Sequence, residues 1–183
     1  SDEGQVNFRT YCERNGFDRV DYMVTLLSWN GMAASHYSSS DTLIANHVAN
    51  AKRLIRILHE QYPNAKVKMM GIQLPSVNGG CGHSYGANSQ YSNWYGLVRS
   101  VMNMNLAYQA MAKEDEFSSY VEFINISGQF DSENNMPHQS KAVNTRSTAT
   151  EQVGTNGVHP STDGYYQIGD AAYRALVPEL TEV

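Results

Sequence analysis

Three short apolar runs, separated by stretches of helical periodicity, constrain this chain more than any other feature. Tyr22-Met23-Val24-Thr25-Leu26-Leu27 is nearly continuous in strand-forming residues, the pattern of a strand covered on both faces. Ser38, Ser39, Ser40 and Asp41 then offer N-cap side chains. Behind them Leu43, Ile44, His47, Val48, Ala51, Leu54, Ile55 and Leu58 recur at steps of three and four. That spacing predicts a long amphipathic helix, stopped at Tyr62-Pro63. Lys66 to Leu74 predicts a second strand, ended by Pro75, and Tyr120 to Ile126 a third. Between these two, Trp94, Leu97, Val98, Val101, Leu106, Tyr108 and Met111 mark another helix, and Tyr165, Ile168, Ala172 and Leu176 mark a last one ahead of Pro178. Strands alternating with helices pair in parallel, so the expected fold class is α/β. At 183 residues the chain suits one domain.

Composition narrows the function classes. Thirteen basic against 18 acidic side chains, a net charge of -5, leave no basic cluster for nucleic acid or an anionic membrane. No apolar run approaches the length of a membrane span. Cys12 and Cys81 lack metal-ligand spacing and leave either one bridge or, as the expectation, two unpaired thiols. His36, His83 and His138 share no carboxylate pattern, so no metal site is expected. With no Gly-x-Gly-x-x-Gly or phosphate loop, no cofactor is expected either.

In open α/β sheets ligands gather at the carboxyl ends of the strands. The first strand leads there into Ser28-Trp29-Asn30-Gly31. The second leads into a long Gly-, Ser-, Asn- and Tyr-rich loop, Ser76 to about Asn93, followed by Trp94. The third leads, through a polar stretch, to Asn156-Gly157-Val158-His159-Pro160 directly ahead of the last helix. A histidine at a helix entry, stiffened by the following proline, is held by backbone and suits a general base. Asn30, just past a buried strand, can aim its amide at a developing oxyanion. Each also has a plainer role, His159 as a packing loop residue and Asn30 as a turn former. Tyr85, Tyr91, Trp94 and Tyr95 could form a sugar-stacking wall or could pack the loop.

These elements, in this order, resemble the SGNH (GDSL-type) serine ester hydrolases. Leu27-Ser28-Trp29-Asn30 is similar to the family's Gly-x-Asn element, and Asn156 to Ser161 with Gly164-Tyr165 and Ile168-Gly169-Asp170 to its Asp-x-x-His-Pro element and following helix. Met70 to Pro75 resembles the family's fourth strand. Phe130-Asp131 with Asn144-Thr145-Arg146 resembles a loop upstream of its histidine. The resemblance covers about residues 8 to 177.

What it implies is a flavodoxin-like three-layer α/β/α domain that hydrolyses a carboxylic ester, with a carbohydrate O-acetyl group as the plausible substrate. His159 would be the general base, Asn30 an oxyanion donor and Asn156 the partner of the histidine, with Trp29, Trp94 and Arg146 facing the substrate. The sequence departs from the family in two ways. No Gly-Asp-Ser-like turn precedes Asn30, so the nucleophilic serine is expected upstream of this chain, which would be N-terminally incomplete. Asn156 stands where the family has Asp, so the intact enzyme would work as a Ser-His dyad or borrow another acid. The alternative is a catalytically inactive module of the same fold that binds glycans or adheres. Phe130-Asp131-Ser132 mimics a nucleophile turn on the wrong strand for the family order.

In the flavodoxin-like strand order the Tyr22–Leu27 strand would become a sheet edge, for which its apolar sequence is unsuited. Its free side is expected to be covered by a missing N-terminal segment, by a second copy of the chain, or by residues 1 to 20.

Overall fold

A computed structural model of the chain describes residues 6–27, 40–77 and 94–181. In chain order these form helix α1 (Phe8–Arg14), strand β1 (Tyr22–Leu26), helix α2 (Ser40–Gln61), strand β2 (Lys66–Met70), helix α3 (Trp94–Ala112), strand β3 (Val121–Ile124), strands β4 (His138–Ala142) and β5 (Thr150–Gly154), and helix α4 (Thr162–Leu180). β1, β2 and β3 make a parallel sheet in that order, with Met23 opposite Val67 and Val67 opposite Val121. β4 and β5 form a separate antiparallel pair.

The alternation of side chains along a strand sorts residues between two layers. Val67, Met69 and Val121 face α2 and α3, meeting Ile55, Leu58, Val101, Met104, Tyr108 and Met111 in the larger core. Met70 and Ile124 face α4, meeting Ile168 and Ala171 in a smaller one. Helices thus cover both faces of a parallel sheet. The expected α/β class and its three-layer, flavodoxin-like arrangement are what the molecule has.

One residue breaks the apolar pattern of β2. Lys68, 2% exposed, points to the α4 face between Glu122 and Glu179, and hydrogen-bonds both. Lys66 Nζ and the Tyr22 hydroxyl also donate to Glu179, at 2.6 and 3.0 Å. The last turn of α4 is thereby fixed to the amino end of the sheet.

Several elements differ from the sequence reading, β3 among them, which spans Val121–Ile124 rather than Tyr120 to Ile126. α1 was not foreseen. It is short, and its start is set by Asn7, whose side chain accepts from the Thr10 N–H. β2 stops at Met70 rather than Leu74, because beyond Ile124 no residue of β3 continues the ladder. The polar stretch after β3 contains the β4–β5 hairpin, whose side chains are mostly exposed and so carry no apolar alternation. α4 runs past Pro178 to Leu180. Proline falls there in the final turn, where Thr181 satisfies the Val177 carbonyl through both its N–H and its hydroxyl.

β1 has β2 as its ladder partner among the described residues and is a sheet edge there, as expected. Residues 6 to 20 do not add to that edge as a strand. α1 docks instead on the end of α2, where Arg9 donates to Gln61 through its backbone N–H and its guanidinium, both at 2.9 Å. Val24, Leu26 and Leu27 are exposed.

Candidate functional site

The carboxyl ends of β1 and β2 and the entry to α4 enclose a cavity of about 130 Å³. Leu26 and Leu27 come from β1, Ile72 and Gln73 from the segment after β2, and Val158, His159, Tyr165 and Ile168 from the α4 side. The walls are mostly apolar. His159 is exposed at this cavity.

The turn that carries His159 is built by Asn156. Its side-chain oxygen accepts from the backbone N–H groups of Val158 (2.9 Å) and His159 (2.8 Å), the asparagine turn that this residue type favours. That oxygen is therefore spent on backbone, and its observed work is to shape the turn rather than to accept from the imidazole. Ser161 then caps α4, accepting from the Gly164 N–H at 3.3 Å, while its own N–H and hydroxyl both donate to the Asn135 carbonyl. Gly164 is required there, since a Cβ would stand 2.4 Å from the Asn135 oxygen and 2.7 Å from Pro160.

Two bonds tie this turn to the segment after β2. Gln73, 4% exposed, donates through Nε2 to the Val158 carbonyl at 2.9 Å. The Ser76 N–H donates to the Gly157 carbonyl at 3.2 Å. Neither Gln73 nor its support Asn105 was singled out from sequence. The available signal was a lone polar residue in each of two apolar patterns: Gln73 within Met69 to Leu74, and Asn105 at the core-facing spacing of Val101 and Tyr108.

The remaining expected residues fall as follows. Trp29 and Asn30 lie outside the described residues, as do His36, Cys81, His83, Tyr85 and Tyr91. Leu27, close before Asn30 in the chain, lines the His159 cavity. Trp94 opens α3 and donates to the Pro75 carbonyl at 3.3 Å, bracing the end of the segment after β2; it is not part of the cavity lining. Arg146 is exposed in the β4–β5 connection, its N–H donating to Asn144 Oδ1 at 2.9 Å, and is not part of the lining either. Asp131 closes an asparagine-like turn of its own. Hydrogen bonds from the Asn134 backbone and side chain, with a further one from the Glu133 N–H, hold its carboxyl below the usual range against the effect of burial. Cys12 is a buried free thiol. No group of three His, Cys, Asp or Glu able to hold a metal ion occurs among the described residues. None of their helices is long and apolar enough to cross a membrane.

No family model and no curated protein matches the chain. A solved structure from Streptococcus pneumonia, provisionally described as a platelet activating factor, is similar at 18% identity with a TM-score of 0.56. The match covers 86% of this chain and 60% of that one, so this chain spans less than two thirds of the neighbour's length and shares its fold.

Proposed function

We propose that this chain is the carboxyl-terminal part of an SGNH-type serine ester hydrolase domain, acting on a carboxylic ester such as a carbohydrate O-acetyl group. The observation that carries the reading is the place of His159, at a cavity formed by the carboxyl ends of β1 and β2. There a base fixed by backbone can meet a nucleophile and substrate delivered along the strand ends. A serine on polypeptide upstream of the chain attacks the ester carbonyl, His159 takes its proton, and Asn30 donates to the oxyanion. Trp29, Trp94 and Arg146 are proposed to contact more distant parts of the substrate. The side of β1 that has no ladder partner among the described residues is where the upstream polypeptide would pair.

The test separates the chain from the completed domain. Alone on p-nitrophenyl acetate, the 183-residue chain should show no turnover that depends on a serine. Joined to its upstream coding segment, it should gain turnover that is lost in His159→Ala. Robust hydrolysis by the chain alone, abolished by changing one of its own serines, overturns the proposed division of the triad.

A second reading, a non-catalytic glycan-binding module of the same fold, draws support from Asn156. With its oxygen committed to two backbone N–H groups, it offers no carboxylate to stabilise an imidazolium. Glycan binding by a completed domain that hydrolyses no ester would favour this reading.

A further inference from the structure

The buried amides of Asn105 and Gln73, joined through the backbone of Ile72, form a chain of contacts that ends at the Val158 carbonyl, directly before His159. The β2 ladder closes with the Gly71 N–H donating to the Ile124 carbonyl at 2.8 Å. One residue on, the strand partner is replaced by a side chain. The Ile72 N–H donates to Asn105 Oδ1 at 2.7 Å, and Asn105 Nδ2 donates back to the Ile72 carbonyl at 2.9 Å. That is the donor and acceptor pair a neighbouring strand would have offered. Ser127 completes the clamp, accepting from Asn105 Nδ2 at 2.8 Å and donating to the same Ile72 carbonyl at 2.6 Å. Gly71 leaves room for it, since a Cβ there would come within 3.0 Å of Asn105 Oδ1.

With Ile72 held on both its backbone groups, Gln73 starts from a fixed point. Its Nε2 crosses to the Val158 carbonyl, 85 residues further along the chain. Beside His159 and Tyr165, the lining it shares is Leu26, Leu27, Ile72, Val158 and Ile168, contacts that an apolar side chain could equally make. A buried amide in that place adds direction, because its bond length and angle are narrow where apolar contact is not. His159 is then held from two sides: by Asn156 through its own N–H, and by Gln73 through the carbonyl before it.

We propose that Gln73 is the positioning residue for His159, and that Asn105 and Ser127 act by fixing the backbone from which Gln73 reaches. Its functional meaning rests on the reading of His159 as a general base, for which a displacement of about 1 Å can cost roughly a hundredfold in rate. The geometry itself can be tested without substrate.

The experiment uses the 183-residue chain, with amide hydrogen exchange and histidine-ring NMR as readouts and thermal melting as control. Gln73→Met keeps volume and removes the donor. It should melt only a few degrees below the parent, since the Val158 carbonyl loses its partner, while the Val158 and His159 amides exchange at least about tenfold faster, as expected for a locally opened turn. The ring signals of His159 should shift or broaden, and those of His59 and His138 should stay. Ser127→Ala, which removes two bonds of the clamp but leaves both Asn105–Ile72 bonds in place, should move the same signals in the same direction by a smaller factor, so the idea remains testable if Gln73→Met does not fold. Unchanged His159 signals in the folded variants overturn the proposal. So does exchange that rises equally across β1, β2 and β3, which would mark Gln73 as a stability residue only. Since no step reads ester hydrolysis, an inactive completed domain would refute the enzyme reading while leaving this result in place.

Discussion

At the amino end of the sheet Lys66, Lys68 and Tyr22 converge on Glu179, with Glu122 closing the other side of Lys68. At the carboxyl end the corresponding joints are made by Gln73, Asn105, Asn156 and backbone groups, all neutral. Both ends solve one problem, that of fixing the α4 side of the molecule to β2. The charged solution stands at the end of the sheet away from the His159 cavity. Burial opposes the Lys68 cation, yet hydrogen bonds to Glu122 and Glu179 outweigh it and hold its pKa above the ordinary lysine value. If His159 is the general base proposed above, the neutral solution suits its end of the sheet, because fixed charges beside such a group would alter its protonation. The difference teaches where titration should matter for stability and where it should not.

The largest effect should come from breaking the charged end. Glu179→Ala leaves Lys68 buried with one carboxylate, a loss of about 3 kcal/mol by the usual cost of splitting a buried pair. Hydrogen bonds from Lys66, then Lys68, pull the Glu179 pKa from 4.5 down to about 2, against burial and with help from Tyr22. A carboxylate depressed in the folded state stabilises above its unfolded pKa and loses that stabilisation as the pH falls through the folded one. The gap between parent and Glu179→Ala, read by urea denaturation, should thus be full near neutrality. It should shrink as the pH drops from 4.5 toward about 2. A gap that stays constant over that range would reduce Glu179 to a packing residue.

A smaller effect, of a different kind, is expected at the neutral end. Gly164→Ala sets a methyl group 2.4 Å from the Asn135 oxygen and 3.0 Å from the Phe130 ring, and the required shift should cost about 2 kcal/mol. The groups that this methyl meets are uncharged, so the loss should be the same at about pH 7 and about pH 5, both above the range in which the neighbouring Asp131 carboxyl titrates. Thermal melting at both values checks it. A loss that grows in acid would show that charge reaches the carboxyl end after all.

How much of this was legible in the sequence follows from burial. β1, β2 and β3 are partnered in a layered sheet, and α2, α3 and α4 each bury one stripe, so all six left a hydrophobic pattern. The β4–β5 hairpin left none, because His138–Ala142 is held by backbone pairing with exposed side chains. At the site, His159 and Asn156 were visible as a spaced motif before a helix. Gln73 and Asn105 were not, because a polar residue inside an apolar pattern gains meaning only once the end of the β3 ladder is known. Lys68 was hidden for the same reason: it reads as an interruption of a strand until Glu179, 111 residues away, is seen beneath it.

The smallest effect would carry charge from one end of the molecule to the other. Asn156→Asp keeps the acceptor that holds the Val158 and His159 N–H groups at 2.9 and 2.8 Å, and makes both bonds charge-assisted. A gain of about 0.5 kcal/mol at neutral pH is reasonable for a partly buried turn, where the cost of desolvating the new carboxylate offsets part of the stronger bonds. Two donated N–H groups favour the ionised form, so the new carboxyl should titrate below the ordinary aspartate value of about 3.9. The gain is then present above that value and lost as the pH falls through the lower folded one. The carboxylate, placed within the His159 turn, should also raise the imidazole pKa, since it favours the charged ring. Ring NMR across a pH titration reads that shift directly, and urea denaturation at neutral and acid pH reads the stability. In a completed domain, ester hydrolysis should rise or hold. If Asn156→Asp is instead less stable at neutral pH, or hydrolysis collapses, then the side-chain NH₂ of Asn156 donates to a group that matters. The carboxyl end would then depend on a neutral amide for its donor as well as its acceptor.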